Sequence, residues 1–340
     1  MSFAFKWSAS GSLSAIESKD RGRSAMSLLT VALTTYNRPE FLAESIESVL
    51  GQTFSNFALL ILDNASDPRT EEVVASYRDS RIKYIRHPSN IGFLANANFA
   101  IDICESKYLL WTHDDDRMKP SLLEREVRIL ESDDDVNLVC CDKDLIDAAG
   151  ELIAEHVTSN ECGFSADFRD GQFRYIDNYM ASKNYITCPT TMLRMAVVKQ
   201  HNVRYRDVGP AIDTYFYVEL NQRPGDFYYL NESLFEYRVH DVRTSALLTT
   251  FVMPLRKPLC ELLSGGDAGI LRADTWLRFS LPRLVSEIKE RINIDQFSWL
   301  DWLEFEDRYG KVPFFVRLNV LVEWLFHAGR KLVHWRKFAG

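Results

Sequence analysis

The chain has no Gly-x-Gly-x-x-Gly after its first predicted strand and no Gly-x-x-x-x-Gly-Lys-Ser/Thr anywhere. A dinucleotide site of the Rossmann type and a P-loop both need those glycines to bring backbone amides against phosphate, so both are excluded. Nor is there a cysteine pattern with metal-ligand spacing. The six cysteines include no Cys-x-x-Cys, and the adjacent pair Cys140-Cys141 is poorly suited to a disulfide. They read as reduced core residues of a cytoplasmic protein. No run of about twenty uncharged apolar residues exists to span a bilayer. A basic excess is also missing: the net charge is −8, which argues against nonspecific binding to nucleic acid. Residues 1–26 lack both periodicity and the apolar centre of a signal peptide, and they are expected to be a disordered leader.

What is present begins with ample apolar material. At 340 residues and 46% hydrophobic, the chain can build one large α/β domain with an appendage, or two domains. The stretch around which the rest is organised is Tyr108-Leu-Leu-Trp-Thr-His-Asp-Asp-Asp-Arg-Met-Lys-Pro120, a short apolar run that ends in Asp114, Asp115 and Asp116. Read as a buried strand and its following loop, it sets carboxylates just past a strand's carboxyl end, where open α/β sheets bind ligands. Adjacent carboxylates repel, so gathering them requires a cation or strong donors. Oxygen ligands favour Mg²⁺ or Mn²⁺, and a Mg²⁺ held by few side chains usually keeps a phosphate, so the loop is a candidate metal–diphosphate site. A solvated acidic turn is the plainer alternative. Asp133-Asp134-Asp135 follows a helical pattern and reads as such a polar loop.

In chain order, the pattern predicts strands at 28–33, 57–62, 82–85 and 108–111, separated by helices at 39–50, 70–77 and 93–105. Pro39 suits the first turn of its helix, and Asp63-Asn-Ala-Ser-Asp-Pro68 has turn chemistry. Strand and helix alternating in this way indicate a doubly wound, mostly parallel sheet. Polar loops at Thr35–Arg38, Asp63–Ser66 and Asp114–Asp116 then converge on one edge. Further on, the pattern predicts a helix from 121 to about 131 and a strand at 136–141. An irregular insertion at 142–171 and a helix at 173–181 follow. Beyond these come a strand at 189–194, a helix to His201, a helix at 214–220 opened by Asp213, and strand-like runs at 227–230 and 233–240.

These loops resemble those of the family 2 glycosyltransferases of GT-A fold. Thr35-Tyr-Asn-Arg-Pro39 resembles the family's first nucleotide loop, and Asp63-Asn-Ala-Ser66 the second. Asn90-Ile-Gly92 with Asn96 and Asn98 is similar to its Asn-x-Gly motif, and His113-Asp-Asp-Asp116 with Pro120 to its Asp-x-Asp metal loop. Asp213 matches the catalytic base, and Tyr237-Arg-Val-His240 the closing Arg-x-His. The chain departs in two places: His113 stands where the metal loop often has its first Asp, and Ile212 where the base motif often has Glu.

The resemblance implies a GT-A domain over 27–245, with a nucleotide-sugar-binding half at 27–120 and an acceptor half at 121–245. It further implies an inverting transfer of a sugar from a UDP- or dTDP-sugar to an acceptor hydroxyl, in surface-polysaccharide synthesis. Asp213 would be the general base. Thr35, Tyr36, Asn37, Arg38, Asp63, Asn96 and Asp114 would bind nucleotide. Asp115, Asp116 and His240 would hold Mg²⁺ or Mn²⁺, with Asp115 favoured as the ligand by its distance from Pro120. A sugar nucleotidyltransferase would need a Gly-rich, basic pyrophosphate loop, which Thr34–Pro39 does not supply; a non-catalytic nucleotide-sugar-binding or scaffold protein is the remaining alternative.

Residues 246–340 fall outside the resemblance and read as a helical, aromatic-rich appendage. Between Arg317 and Lys337, five cations stand against Glu323 alone, a local charge of +4. A basic, Trp-bearing amphipathic helix suits either an anionic membrane surface and a lipid-linked acceptor, or packing on protein. The expected location is the cytoplasm, with peripheral contact at the inner face of the membrane.

Overall fold

Leu29–Thr35 (β1) and Phe57–Asp63 (β2) are aliphatic runs that the computed structural model buries along almost their whole length, as two-sided central strands require. The structure describes residues 27–158, 170–173, 186–207 and 212–240; the predicted leader and C-terminal appendage lie outside the described residues. β1 pairs in parallel with β2 on one side and with β4 (Tyr108–His113) on the other, and β3 (Ile82–Arg86) extends the sheet beyond β2. The register sets Thr35 opposite Asp63, Asp63 opposite Arg86, and Thr34 opposite His113. The three predicted polar loops therefore leave the sheet at one edge.

Helices cover both faces. α1 (Pro39–Leu50) places Leu42, Ile46 and Val49 on one stripe, with α2 (Pro68–Ser76) and α4 (Leu122–Ser132) on the same side of the sheet. Val31, Leu33, Leu59, Ile61 and Leu110 meet them. The alternate residues Ala32, Leu60, Leu62, Leu109 and Trp111 face α3 (Phe93–Ile103), α5 (Met195–Gln200) and α6 (Ile212–Asn221). Each fully buried aliphatic side chain in these layers contributes about 1.5–3 kcal/mol.

The second half joins the first through one reversed strand. β9 (Thr191–Arg194) runs antiparallel between β4 and β6 (Val136–Ile146), and β10 (Asp226–Arg238) lies parallel to β6, so β6 and β10 keep the direction of β4. The order is β3-β2-β1-β4-β9-β6-β10-β5, where β5 is Arg117–Met118; β7 (Leu152–Ala154) adds to β6 and β8 (Gly171–Phe173) to β10. The turn into β10 depends on Gly225, at φ +102°, where a Cβ would lie 2.6 Å from the Asp135 carbonyl.

Several expectations need correction here. β6 does not end at Cys141, because the charged run that suggests a loop is satisfied inside the sheet. Asp142 accepts from the Thr158 amide, and Asp144 accepts from Lys119 and the His156 amide. Residues 142–171 are accordingly not wholly irregular. Phe173 ends a strand rather than opening a helix, and 174–181 lies outside the described residues. Cys188–Thr190 is a 3₁₀ turn and the strand begins at Thr191, since Pro189 cannot donate to a ladder. Asp133–Asp135 is a loop as expected, held by Arg194, which donates to the Leu130, Asp133 and Val136 carbonyls.

Glu126, on the buried stripe of α4, is fully inaccessible and neither carboxyl oxygen has a hydrogen-bond partner. Burial pushes its carboxyl well above the ordinary range, so folding takes up a proton. The stabilisation this proton gives is complete below the unfolded carboxyl pKa and is lost as pH rises through the raised native value. Glu126→Gln, which cannot titrate, is expected to gain in melting temperature relative to the parent as pH rises from 5 to 9. Parallel melting curves across that range would mean that Glu126 is not held neutral.

Candidate functional site

The edge where β1, β2 and β4 end gathers the predicted residues. In the loop after β1, Asn37 adopts φ 55°, its amide donates to Ser66 Oγ at 3.0 Å and its side-chain oxygen accepts from the Asp67 amide at 2.9 Å. This hydrogen-bonds the first loop to the second. Tyr36 is left 46% exposed while its amide donates to Asp114 Oδ2 at 3.1 Å. Arg38 Nη1 reaches Asp114 Oδ1 at 3.0 Å and Asp115 Oδ2 at 2.8 Å. Thr35 is buried beside them, paired with Asp63.

Asp63 is buried, accepting from the Ser66 amide at 2.8 Å and from the Tyr84 hydroxyl at 2.5 Å, with Arg86 at 3.4 Å. Both oxygens have protein donors, though a carboxylate retains further lone pairs. Asn96 is also buried; it meets His87 Nε2 at 3.0 Å and donates to the Leu62 carbonyl at 3.4 Å. Asn98 exchanges two bonds with the Tyr205 backbone.

The Asp triplet is divided among different partners. Asp114 turns toward Arg38 and Tyr36, and burial together with Asp115 raises its carboxyl to about 6 against the pull of Arg38. Asp115 meets His240 Nε2 at 3.0 Å, and His113, Arg38 and His240 overcome burial to hold its carboxyl below the ordinary range. Asp116 is buried. Its Oδ1 accepts from the Arg238 amide at 2.9 Å, while its Oδ2 has no hydrogen-bond partner and lies 3.8 Å from His113 Nδ1. His113 Nε2 is likewise buried without a partner. Burial disfavours its imidazolium, but Asp116, Asp115 and Asp213 raise His113 above its usual value.

His113, Asp115 and Asp116 each present a ligand atom within 4.8 Å of the others. Hard carboxylate oxygens, with orphaned buried atoms on Asp116 and His113, fit a divalent cation. Sequence reasoning set His113 aside as a replaced Asp. Spacing offers no signal for it, because β4 ends at His113 and Asp114 and Asp115 form a turn, where the two-residue alternation of a strand no longer holds.

Asp213 sits in the first turn of α6 with Oδ1 buried and without a hydrogen-bond partner. Burial raises its carboxyl to about 6, opposed by His113 and by a hydrogen bond from Cys188. A row of rings joins it to the carboxylate loop: Trp111 lies 5.5 Å from His113 and 5.0 Å from Tyr205, which stacks at 4.3 Å on Phe216 of α6. Phe93, half-exposed, covers Trp111 at 4.8 Å. Cys188 and Tyr205 had no sequence signal, because their role depends on contacts across the fold.

The profile described as glycosyl transferase family 2 matches residues 30–202. The chain belongs to this family. An uncharacterized glycosyltransferase of Methanocaldococcus jannaschii is 28% identical over 217 residues, covering 62% of this chain and 71% of that protein. Among solved structures, S. aureus TarS 1–349 in complex with UDP-GlcNAc superposes with TM-score 0.64 at 15% identity, over 82% of this chain and 79% of that one. The Pyrobaculum calidifontis mannosyltransferase PcManGT, in complex with GDP-Man and Mn²⁺, gives 0.54 at 16% identity over 91% and 87%. The fold is therefore GT-A and the family is that of glycosyltransferase enzymes.

Arg238, which sequence reasoning treated only as part of a motif, holds this site's loop in place. Its side chain is fully buried and donates to the Asp115, Asp147 and Ala148 carbonyls and to Glu44. Arg238→Met is expected to cost about 3–5 kcal/mol in urea unfolding, because it strands buried acceptors. Glu44→Gln, at the half-exposed end of the pair, should cost less than about 1 kcal/mol. Equal losses for the two variants would show that the loop does not depend on the guanidinium.

Proposed function

We propose that this family 2 glycosyltransferase transfers a sugar, with inversion, from a UDP- or dTDP-sugar to a hydroxyl of a carbohydrate or lipid-linked saccharide acceptor. The observation that carries the proposal is Asp213: a buried carboxyl oxygen without a partner, raised to about 6, connected through one aromatic row to the carboxylate loop. A base of that pKa is ionised at neutral pH yet more basic than an ordinary carboxylate, which suits it to accept the proton of the attacking hydroxyl. One base opposite the leaving group implies a single displacement.

In this reading residues 27–120 bind the donor and 121–245 form the acceptor side. Tyr36 offers an exposed ring for the base, with Thr35, Asn37, Asp63 and Asn96 shaping its surroundings. Arg38, bound here to Asp114 and Asp115, supplies positive charge beside the diphosphate. Asp115, Asp116 and His240 hold Mg²⁺ or Mn²⁺. When bound, the cation supplies Lewis-acid stabilisation of the departing diphosphate. The basic, Trp-bearing segment 317–337 supports action on a lipid-linked acceptor for surface polysaccharide, at the inner face of the membrane. Among the described residues no helix is long and apolar enough to cross a membrane.

The test is the melting temperature of the parent and of Asp115→Ala with UDP, dTDP, GDP or CDP, each with and without Mn²⁺. A uracil or thymine nucleotide should stabilise the parent in a metal-dependent way, and the variant should lose that dependence. Asp213→Asn should keep the nucleotide shift and lose about 10²- to 10⁴-fold in kcat. The parent's kcat/KM should rise with pH to a plateau above about 6, since the base acts only when ionised. Nucleotide stabilisation without turnover of any sugar nucleotide would identify a binding protein instead.

A further inference from the structure

We infer that His113 donates a ring nitrogen to the divalent cation of the Asp114–Asp116 loop, making a mixed imidazole–carboxylate centre. The inference rests on the metal site proposed above and gives the place of its imidazole ligand to His113 instead of His240.

Two histidines stand at this loop, and they differ in what their nitrogens already do. His240 Nε2 is engaged with Asp115 Oδ2 at 3.0 Å, and its ring packs 5.2 Å from Phe41. To reach a metal it would have to give up that contact. His113 Nε2, by contrast, is buried without a partner, and its Nδ1 stands 3.8 Å from an Asp116 Oδ2 that also lacks one. That separation is too long for a hydrogen bond. The ring thus carries one buried nitrogen without a partner, Nε2, and holds its other nitrogen beside an unpartnered carboxylate oxygen. Asp115 completes the group within 4.8 Å.

The fold fixes the imidazole in advance. His113 is the last residue of β4, paired in register with Thr34, and its ring is confined by Trp111 at 5.5 Å and Phe93 at 5.9 Å. A ligand held by its neighbours needs little reorganisation on binding. Replacing a carboxylate by a neutral imidazole also changes selectivity. Imidazole suits the later transition metals, whereas Mg²⁺ prefers oxygen, so this centre should bind Co²⁺ more tightly than Mn²⁺ and Mg²⁺ least.

The test uses the full chain loaded with Mn²⁺, alone and with saturating UDP or GDP, read by electron spin echo envelope modulation, which detects a directly bound nitrogen. Free Mn²⁺ followed by electron paramagnetic resonance gives the affinity. The parent and His240→Asn should both show nitrogen modulation, and His113→Ala should lose it with at least a tenfold weaker affinity. His113→Asp should recover most of the affinity without the modulation, a pattern that a purely structural role would not produce; circular dichroism melts establish that each variant is folded. Modulation that survives in His113→Ala and disappears in His240→Asn assigns the nitrogen to His240 and overturns the inference. Mn²⁺ binding without nitrogen modulation in the parent overturns it too, while leaving the proposed metal-dependent reaction standing. No Mn²⁺ binding under any condition removes both.

Discussion

Three carboxylates crowded at the end of one strand repel one another, and much of the structure around them consists of the groups that make this tolerable. Arg38 bridges Asp114 and Asp115 from the loop after β1. His240 reaches Asp115 from beyond β10, and the Arg238 amide takes one oxygen of Asp116. These contacts come from opposite ends of the domain, so the loop forms only when the sheet has closed around it. The charge is distributed rather than cancelled: Asp114 and Asp116 are raised by burial, while Asp115 alone is depressed. An arrangement of this kind keeps one carboxylate, Asp115, ionised in the company of two that burial makes easier to protonate.

The parallel register explains why the loops after β1 and β2 share an edge with the carboxylate loop. Parallel strands all present their carboxyl ends on the same side, so residues distant in sequence become level with one another. The reversal at β9 brings the second half of the chain alongside β4 rather than continuing the first half's progression. That reversal lets α6 carry Asp213 to within one row of aromatic rings of His113. The placement of Asp213 relative to the carboxylate loop therefore follows ring packing in the core.

Much of the first half was legible from pattern. α1 begins and ends where its Pro39 start and apolar spacing indicate, and the central strands differ from expectation by only a residue or two at their ends. Such segments are recognisable because burial on both faces leaves few residue types acceptable. β6 was harder to delimit, since Asp142 and Asp144 resemble loop residues until their partners Lys119, His156 and Thr158 are known. Local polarity marks a strand's end only when the polar groups face water.

By itself the sequence determined the alternation of strand and helix, the edge at which polar loops collect, and the residue types available there, because these follow from periodicity and turn chemistry along neighbouring residues. Tertiary structure alone decided which groups in that set are spent on one another and which remain open. Asp63 and Asn96 are each hydrogen-bonded within the protein, whereas His113, a departure from the family pattern, keeps a buried nitrogen free of partners. Hydrogen bonds and desolvation depend on the full three-dimensional surroundings of an atom, and no spacing along the chain encodes them.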